Sequence, residues 1–146
     1  MSKSERLLAA CGVSSLLLGG LGYLFFRPSH SVWFVPDWLV LGQARGLPEL
    51  FYNLPALIHV FVFSLLSLAF IGLSKVKIWG VSSLWFLVNL GFELGQTLND
   101  EALMNFPDVL RRYFLYGTFD PNDIVFAVVG AGLAISLSLF LRGKYD

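Results

Sequence analysis

The chain has 146 residues, of which 56% are hydrophobic and only 14% charged, and its mean hydropathy is +0.71. Soluble domains carry about 25% charge, so this composition excludes an ordinary water-soluble domain and points to lipid as the solvent. Ten Lys and Arg balance ten Asp and Glu, which leaves no net basic field for nucleic acid, and a lone cysteine, Cys11, excludes an internal disulfide or a cysteine metal cluster.

In chain order, four largely apolar runs reach the ~18 residues that a membrane-crossing helix needs: 7–26, 53–73, 78–98 and 124–141. They leave nothing for a soluble domain. The chain therefore reads as one all-α polytopic unit, 1–146, with four transmembrane helices and two longer loops, 27–52 and 99–123.

Ahead of the first run, Lys3 and Arg6 imitate the start of a signal peptide, and Leu8-Ala9-Ala10-Cys11 imitates a lipoprotein box. The apolar stretch, however, follows the cysteine and ends in Tyr23-Leu24-Phe25-Phe26-Arg27 rather than at small residues, so a retained helix is expected. The loop after it holds Trp33, Phe34, Trp38, Phe51 and Tyr52, aromatics that settle at headgroup depth. The second run carries one imidazole, His59, near its start.

On the third run Ser82, Asn89, Glu93 and Gln96 are spaced 7, 4 and 3 apart, which places them inside an arc of roughly 60° and predicts an inward polar stripe. Gly91 and Gly95 supply a GxxxG spacing on another face, expected to pack against a neighbouring span. The second loop holds Phe106, Tyr113, Phe114, Tyr116 and Phe119, and Pro107 and Gly117 bracket a short helix over 107–116. Its Val109, Leu110, Tyr113 and Phe114 stripe is expected to face lipid, with Arg111 and Arg112 reaching phosphates. In the fourth run Gly130, Ala134 and Ser138 recur every four residues as a helix-packing stripe.

Lys3, Arg6, Lys75, Lys77, Arg142 and Lys144 fall on one side of this topology, against Arg27, Arg45, Arg111 and Arg112 in the longer loops of the other. The positive-inside asymmetry predicts both termini in the cytoplasm and both long loops outside.

With that orientation His59 and Glu93 lie at similar depth, about 8–9 Å inside the outer face. Asp120 and Asp123 open the fourth helix on the same side, so His59, Glu93, Gln96, Asp120 and Asp123 are expected to converge, with Arg112 an available cation. Each has a structural alternative: Asp120, Pro121 and Asp123 also suit N-cap, N1 and N3 positions, and His59 a neutral core residue. Glu93 must be either protonated or paired, with His59 or Arg112 the partners at hand. No GxSxG, HExxH or P-loop is present, and two histidines, His30 and His59, do not make a metal site. No metal or cofactor is therefore expected.

The ordered set Leu57-Ile58-His59-Val60-Phe61, Glu93-Leu94-Gly95-Gln96, Thr118-Phe119-Asp120 through Asp123, and Gly130 resembles the VanZ-like membrane proteins over about residues 53–135. The resemblance implies a small four-helix bacterial envelope protein, with Glu93, Gln96, Asp120 and Asp123 matching the family's polar signature. Two positions depart from it. Gly117 stands where the family usually has Arg, and Ala127 where it usually has Asn; Arg112 is the cation available to replace the first.

The expectation is a multi-pass protein of the bacterial inner membrane whose outward polar pocket engages a lipid, a lipid-linked glycan or an envelope-active amphiphile. A structural or assembly subunit that grips a membrane-protein partner and a small lipid-headgroup transferase or hydrolase use the same residues. Proton-coupled transport is a further alternative, for which four spans enclose little pathway.

Overall fold

The computed structural model describes residues 1–26 and 52–145. Six helices and no strand occur among them: α1 Lys3–Phe26, α2 Leu54–Ile71, α3 Lys75–Gly95, α4 Asp100–Leu103, α5 Asp108–Tyr116 and α6 Pro121–Tyr145. Among the described residues four helices, α1, α2, α3 and α6, are long and apolar enough to cross a membrane. The aromatic residues 33, 34, 38 and 51 and the cations Arg27 and Arg45 of the first long loop lie outside the described residues.

Local chemistry moves the ends of the long helices away from the limits of the apolar runs. Helix α1 begins at Lys3 because Ser2 and Glu5 form a reciprocal cap: the Glu5 N–H donates to Ser2 Oγ at 3.2 Å and the Ser2 N–H to Glu5 Oε2 at 2.7 Å. Helix α2 stops at Gly72, whose φ of 88° is left-handed and favours glycine. Ser74 then caps α3 by accepting from the Lys77 N–H at 3.3 Å, so Lys75 and Lys77 lie inside its first turn and the helix runs 75–95 instead of 78–98.

α2 is the hub. It packs against α1, α3 and α6; α6 also lies against α3, and α1 touches α6 more lightly. The core is built from Leu8 of α1, Leu65 and Leu68 of α2, Ile78 of α3, and Ala134 and Leu141 of α6. The small-residue stripe of α6 is buried at Gly130, Ala134 and Ser138. At Gly130 a Cβ would stand 2.5 Å from the Leu57 carbonyl oxygen, so only glycine allows α6 this close to the α2 backbone. Away from these seams, Leu17 and Leu18, Phe70, Leu84 and Leu87, and Val125 and Leu133 are exposed, an apolar outer surface on every long helix.

One end of the bundle gathers both termini: the Lys3 ammonium lies 4.6 Å from the centre of the Tyr145 ring. We call it the basal end; the α2–α3 turn lies there too, with the Glu5 carboxylate beside Gly72. The opposite loop end holds the start of α2, the end of α3 and the start of α6, and carries α4 and α5.

The GxxxG expectation is corrected. Gly91 is exposed, with nothing near the position a Cβ would take, and Gly95 receives the Phe114 ring of α5 instead of a neighbouring span. For the same reason the apolar stripe of α5 divides: Phe114 is buried against Gly95 and Phe92, and Leu110 is half-buried, while Val109 and Tyr113 stay exposed. Pro107 is the N-cap of α5 rather than its first residue. Arg111 turns to Asp100, at 2.6 Å.

Candidate functional site

The loop end places an acid or an amide on each of α2, α3 and α6. Helix α3 ends two residues after Glu93, and α6 begins one residue after Asp120, so both carboxylates sit where the long helices meet the connecting chain. Glu93 is 5% exposed and Asn53, just ahead of α2, is 6% exposed.

Asn53 is the bridge. Its Nδ2 donates to Asp120 Oδ2 at 2.8 Å and to Asp123 Oδ1 at 2.9 Å. The Asp120 backbone N–H donates to Glu93 Oε2 at 3.4 Å, and Gln96 Nε2 donates to the other oxygen, Oε1, at 3.3 Å. Asp120 Oδ1 accepts from the Asn122 N–H at 2.9 Å, the turn that starts α6. These contacts tie the start of α2, the end of α3 and the start of α6 into one network.

The donors that hold Glu93 and Asp120 are amides, and neither carboxylate forms an ion pair with a described residue. The Asn53 side-chain amide, with the Asn122 N–H second, holds the Asp120 carboxyl below the usual carboxylate range, so it is ionised at neutral pH. One turn below Glu93 on the same stripe, Asn89 keeps its Oδ1 buried without a partner among the described residues. Ser82, lower still, is buried and likewise unpaired.

Of the sequence-expected residues, the structure brings together Glu93, Gln96, Asp120 and Asp123. His59 does not join them. It is exposed and stacks on Phe63, with ring centres 5.9 Å apart; Phe63 in turn stacks on Trp85, whose indole N–H donates to Ser67 Oγ at 3.0 Å. The earlier end of α3 is the reason: Glu93 lies ~3 Å from the end of its helix, while His59 lies ~8 Å beyond the start of α2, so their depths no longer match. Arg112 is exposed on α5 and pairs with no carboxylate among the described residues. It therefore supplies no cation to the network of Glu93 and Asp120. A Cβ at Gly117 would stand 2.7 Å from Gln96 Cδ, so the Gln96 side chain already fills the space beside this glycine.

Asn53 was missed by sequence reasoning. An asparagine two residues ahead of Pro55 reads as a helix N-cap, yet its side chain makes no cap bond and reaches across to α6. No group of three His, Cys, Asp or Glu able to hold a metal ion occurs among the described residues.

The described residues define a class, all-helical with four helices of membrane-crossing length and a carboxylate–amide network at one end of the bundle. The chain matches no family model, no curated protein and no solved structure.

Proposed function

We propose that this is a multi-pass protein of the bacterial cytoplasmic membrane, VanZ-like in its polar signature, whose loop end faces outward and engages the headgroup of a lipid, a lipid-linked glycan or another envelope amphiphile. The observation that carries the reading is the convergence of Glu93, Asp120 and Asp123 on one amide-held network at the end of the bundle. Glu93 and Asp120 are held by amide donors, which leave their oxygens capacity to accept further bonds from a ligand. A headgroup that brings an ammonium or several hydroxyls supplies what amides do not. The unpaired Asn89 Oδ1 adds an acceptor one turn deeper. Basic residues at the basal end support the outward placement of the opposite end.

A second reading, an assembly subunit, has its own support: Glu93 and Asn53 are nearly sealed, and the network closes through bonds within the chain. Native mass spectrometry of the protein extracted from its own membranes separates the two. A retained adduct in the mass range of a lipid or lipid-linked glycan that Glu93→Gln removes is expected; a chain that retains a protein partner and no adduct sensitive to Glu93→Gln would favour the assembly reading.

A further inference from the structure

The α3–α6 seam at the basal end carries a second, independent feature. Lys75, Trp79, Ser83 and Phe86 fall at intervals of 4, 4 and 3 along α3, one face of a helix. On α6, Val128, Gly132, Ile135, Leu139 and Arg142 are spaced 4, 3, 4 and 3 and likewise share a face. Two openings lie between these stripes. One, of about 430 Å³, is lined by Lys75, Leu139, Arg142 and Gly143. The other, an open groove of about 410 Å³, has Trp79, Ser83 and Phe86 on one wall and Ala131, Gly132 and Ile135 on the other.

We propose that this seam binds an anionic phospholipid, with the phosphate between Lys75 and Arg142 and one acyl chain lying in the groove toward Phe86. Neither cation forms an ion pair among the described residues, whereas their neighbours are engaged: Lys77 Nζ donates to the Ile71 carbonyl, and Lys3 and Lys144 lie over the Tyr145 ring. Trp79, 56% exposed, stands one turn deeper, at the level where indoles settle below a headgroup. From Lys75 to Phe86 the helix rises ~16 Å, about the thickness of one leaflet's hydrocarbon. A Cβ on Gly132 would meet nothing within 4 Å, so the groove is open along its α6 wall. A second copy of this chain packed in parallel on the seam would set Lys75 and Arg142 against their own copies, whereas a phosphodiester anion bridges the two cations. Basic pockets between spans are the recognised form of such lipid sites.

The proposal rests on the reading that these helices span a bilayer, and not on the carboxylate network at the opposite end. The test adds phosphatidylglycerol or phosphatidylcholine to the purified full chain and counts retained lipid by native mass spectrometry. Wild type is expected to prefer phosphatidylglycerol, and the Lys75→Gln/Arg142→Gln pair to lose on the order of tenfold of that preference. Gly132→Leu, filling the groove with both cations intact, is expected to lose retained lipid while circular dichroism stays helical. Equal retention of the two lipids by wild type, an undiminished preference in the paired variant, or displacement by inorganic phosphate at the lipid's own concentration would overturn the seat. Release of the chain from membranes by alkaline carbonate overturns the bilayer reading as well, whereas a carbonate-resistant chain without lipid preference overturns the seat alone.

Discussion

Asn53 donates from a single amide nitrogen to two carboxylates, 67 and 70 positions further along the chain. Hydrogen bonds to charged groups contribute about 1.5–3 kcal/mol each, and their loss strands partly buried acceptors, so Asn53→Ala is expected to lower stability by roughly 2 kcal/mol or more in detergent unfolding. That loss carries a pH signature. Asp120 has an unfolded value near 3.8 and a lower folded one, so its contribution is complete above about pH 4 and disappears as pH falls through the folded value. The gap between wild type and Asn53→Ala should therefore narrow below about pH 4; a gap constant down to pH 3 would contradict the bridge. Glu93, Gln96, Asp120 and Asp123 were legible in the sequence because polar residues in or beside apolar runs are costly enough to require a reason. Asn53 was not, because an asparagine at a helix start has a cheaper explanation as a cap. His59 was misplaced because its depth was reckoned from the limits of apolar runs, not from helix ends.

The starts of α1 and α3 and the end of α2 are set by short-range devices that a hydropathy scan passes over. Ser2 with Glu5 starts α1 and Ser74 starts α3, both readable as capping residues, yet the adjacent Lys3, Lys75 and Lys77 had been set outside the spans as charged flanks. Four helices of membrane-crossing length were nonetheless legible, since length and apolarity decide them. Packing faces were half legible, because small-residue spacing shows where a close approach is permitted and not which element makes it. Gly130 meets the α2 backbone, Gly95 an aromatic ring, and Gly91 nothing. Backbone cannot yield as a flexible side chain does, so Gly130→Ala is expected to cost about 1–3 kcal/mol. Gly91→Ala is expected to be neutral or to stabilise by up to ~1 kcal/mol through helix propensity. Thermal midpoints in detergent check the pair, and equal losses in both would contradict the assignment of faces.

Across the whole molecule, charge and polar chemistry are divided between two ends. The basal end holds the termini, Lys75, Lys77, Arg142 and Lys144, while the loop end holds Glu93, Asp120 and Asp123. The division predicts orientation: with Cys11 replaced by alanine, a cysteine at Asn99 should react in intact cells with a membrane-impermeant maleimide and one at Ser2 should not. The reverse pattern would turn the carboxylate network toward the cytoplasm. In the proposed function this network serves a ligand beyond holding three helices together. Glu93→Gln tests it most directly, since it keeps the shape and an acceptor oxygen while replacing the carboxyl group by an amide. Native mass spectrometry and a thermal midpoint measured on the same preparation separate the roles. With Lys75→Gln and Arg142→Gln present in both proteins, so that seam lipid does not count, the expected result is a folded Glu93→Gln protein with an unchanged midpoint that no longer retains the amphiphile held by its Glu93 counterpart. A Glu93→Gln protein that retains the same adduct at its counterpart's occupancy would contradict the proposed function.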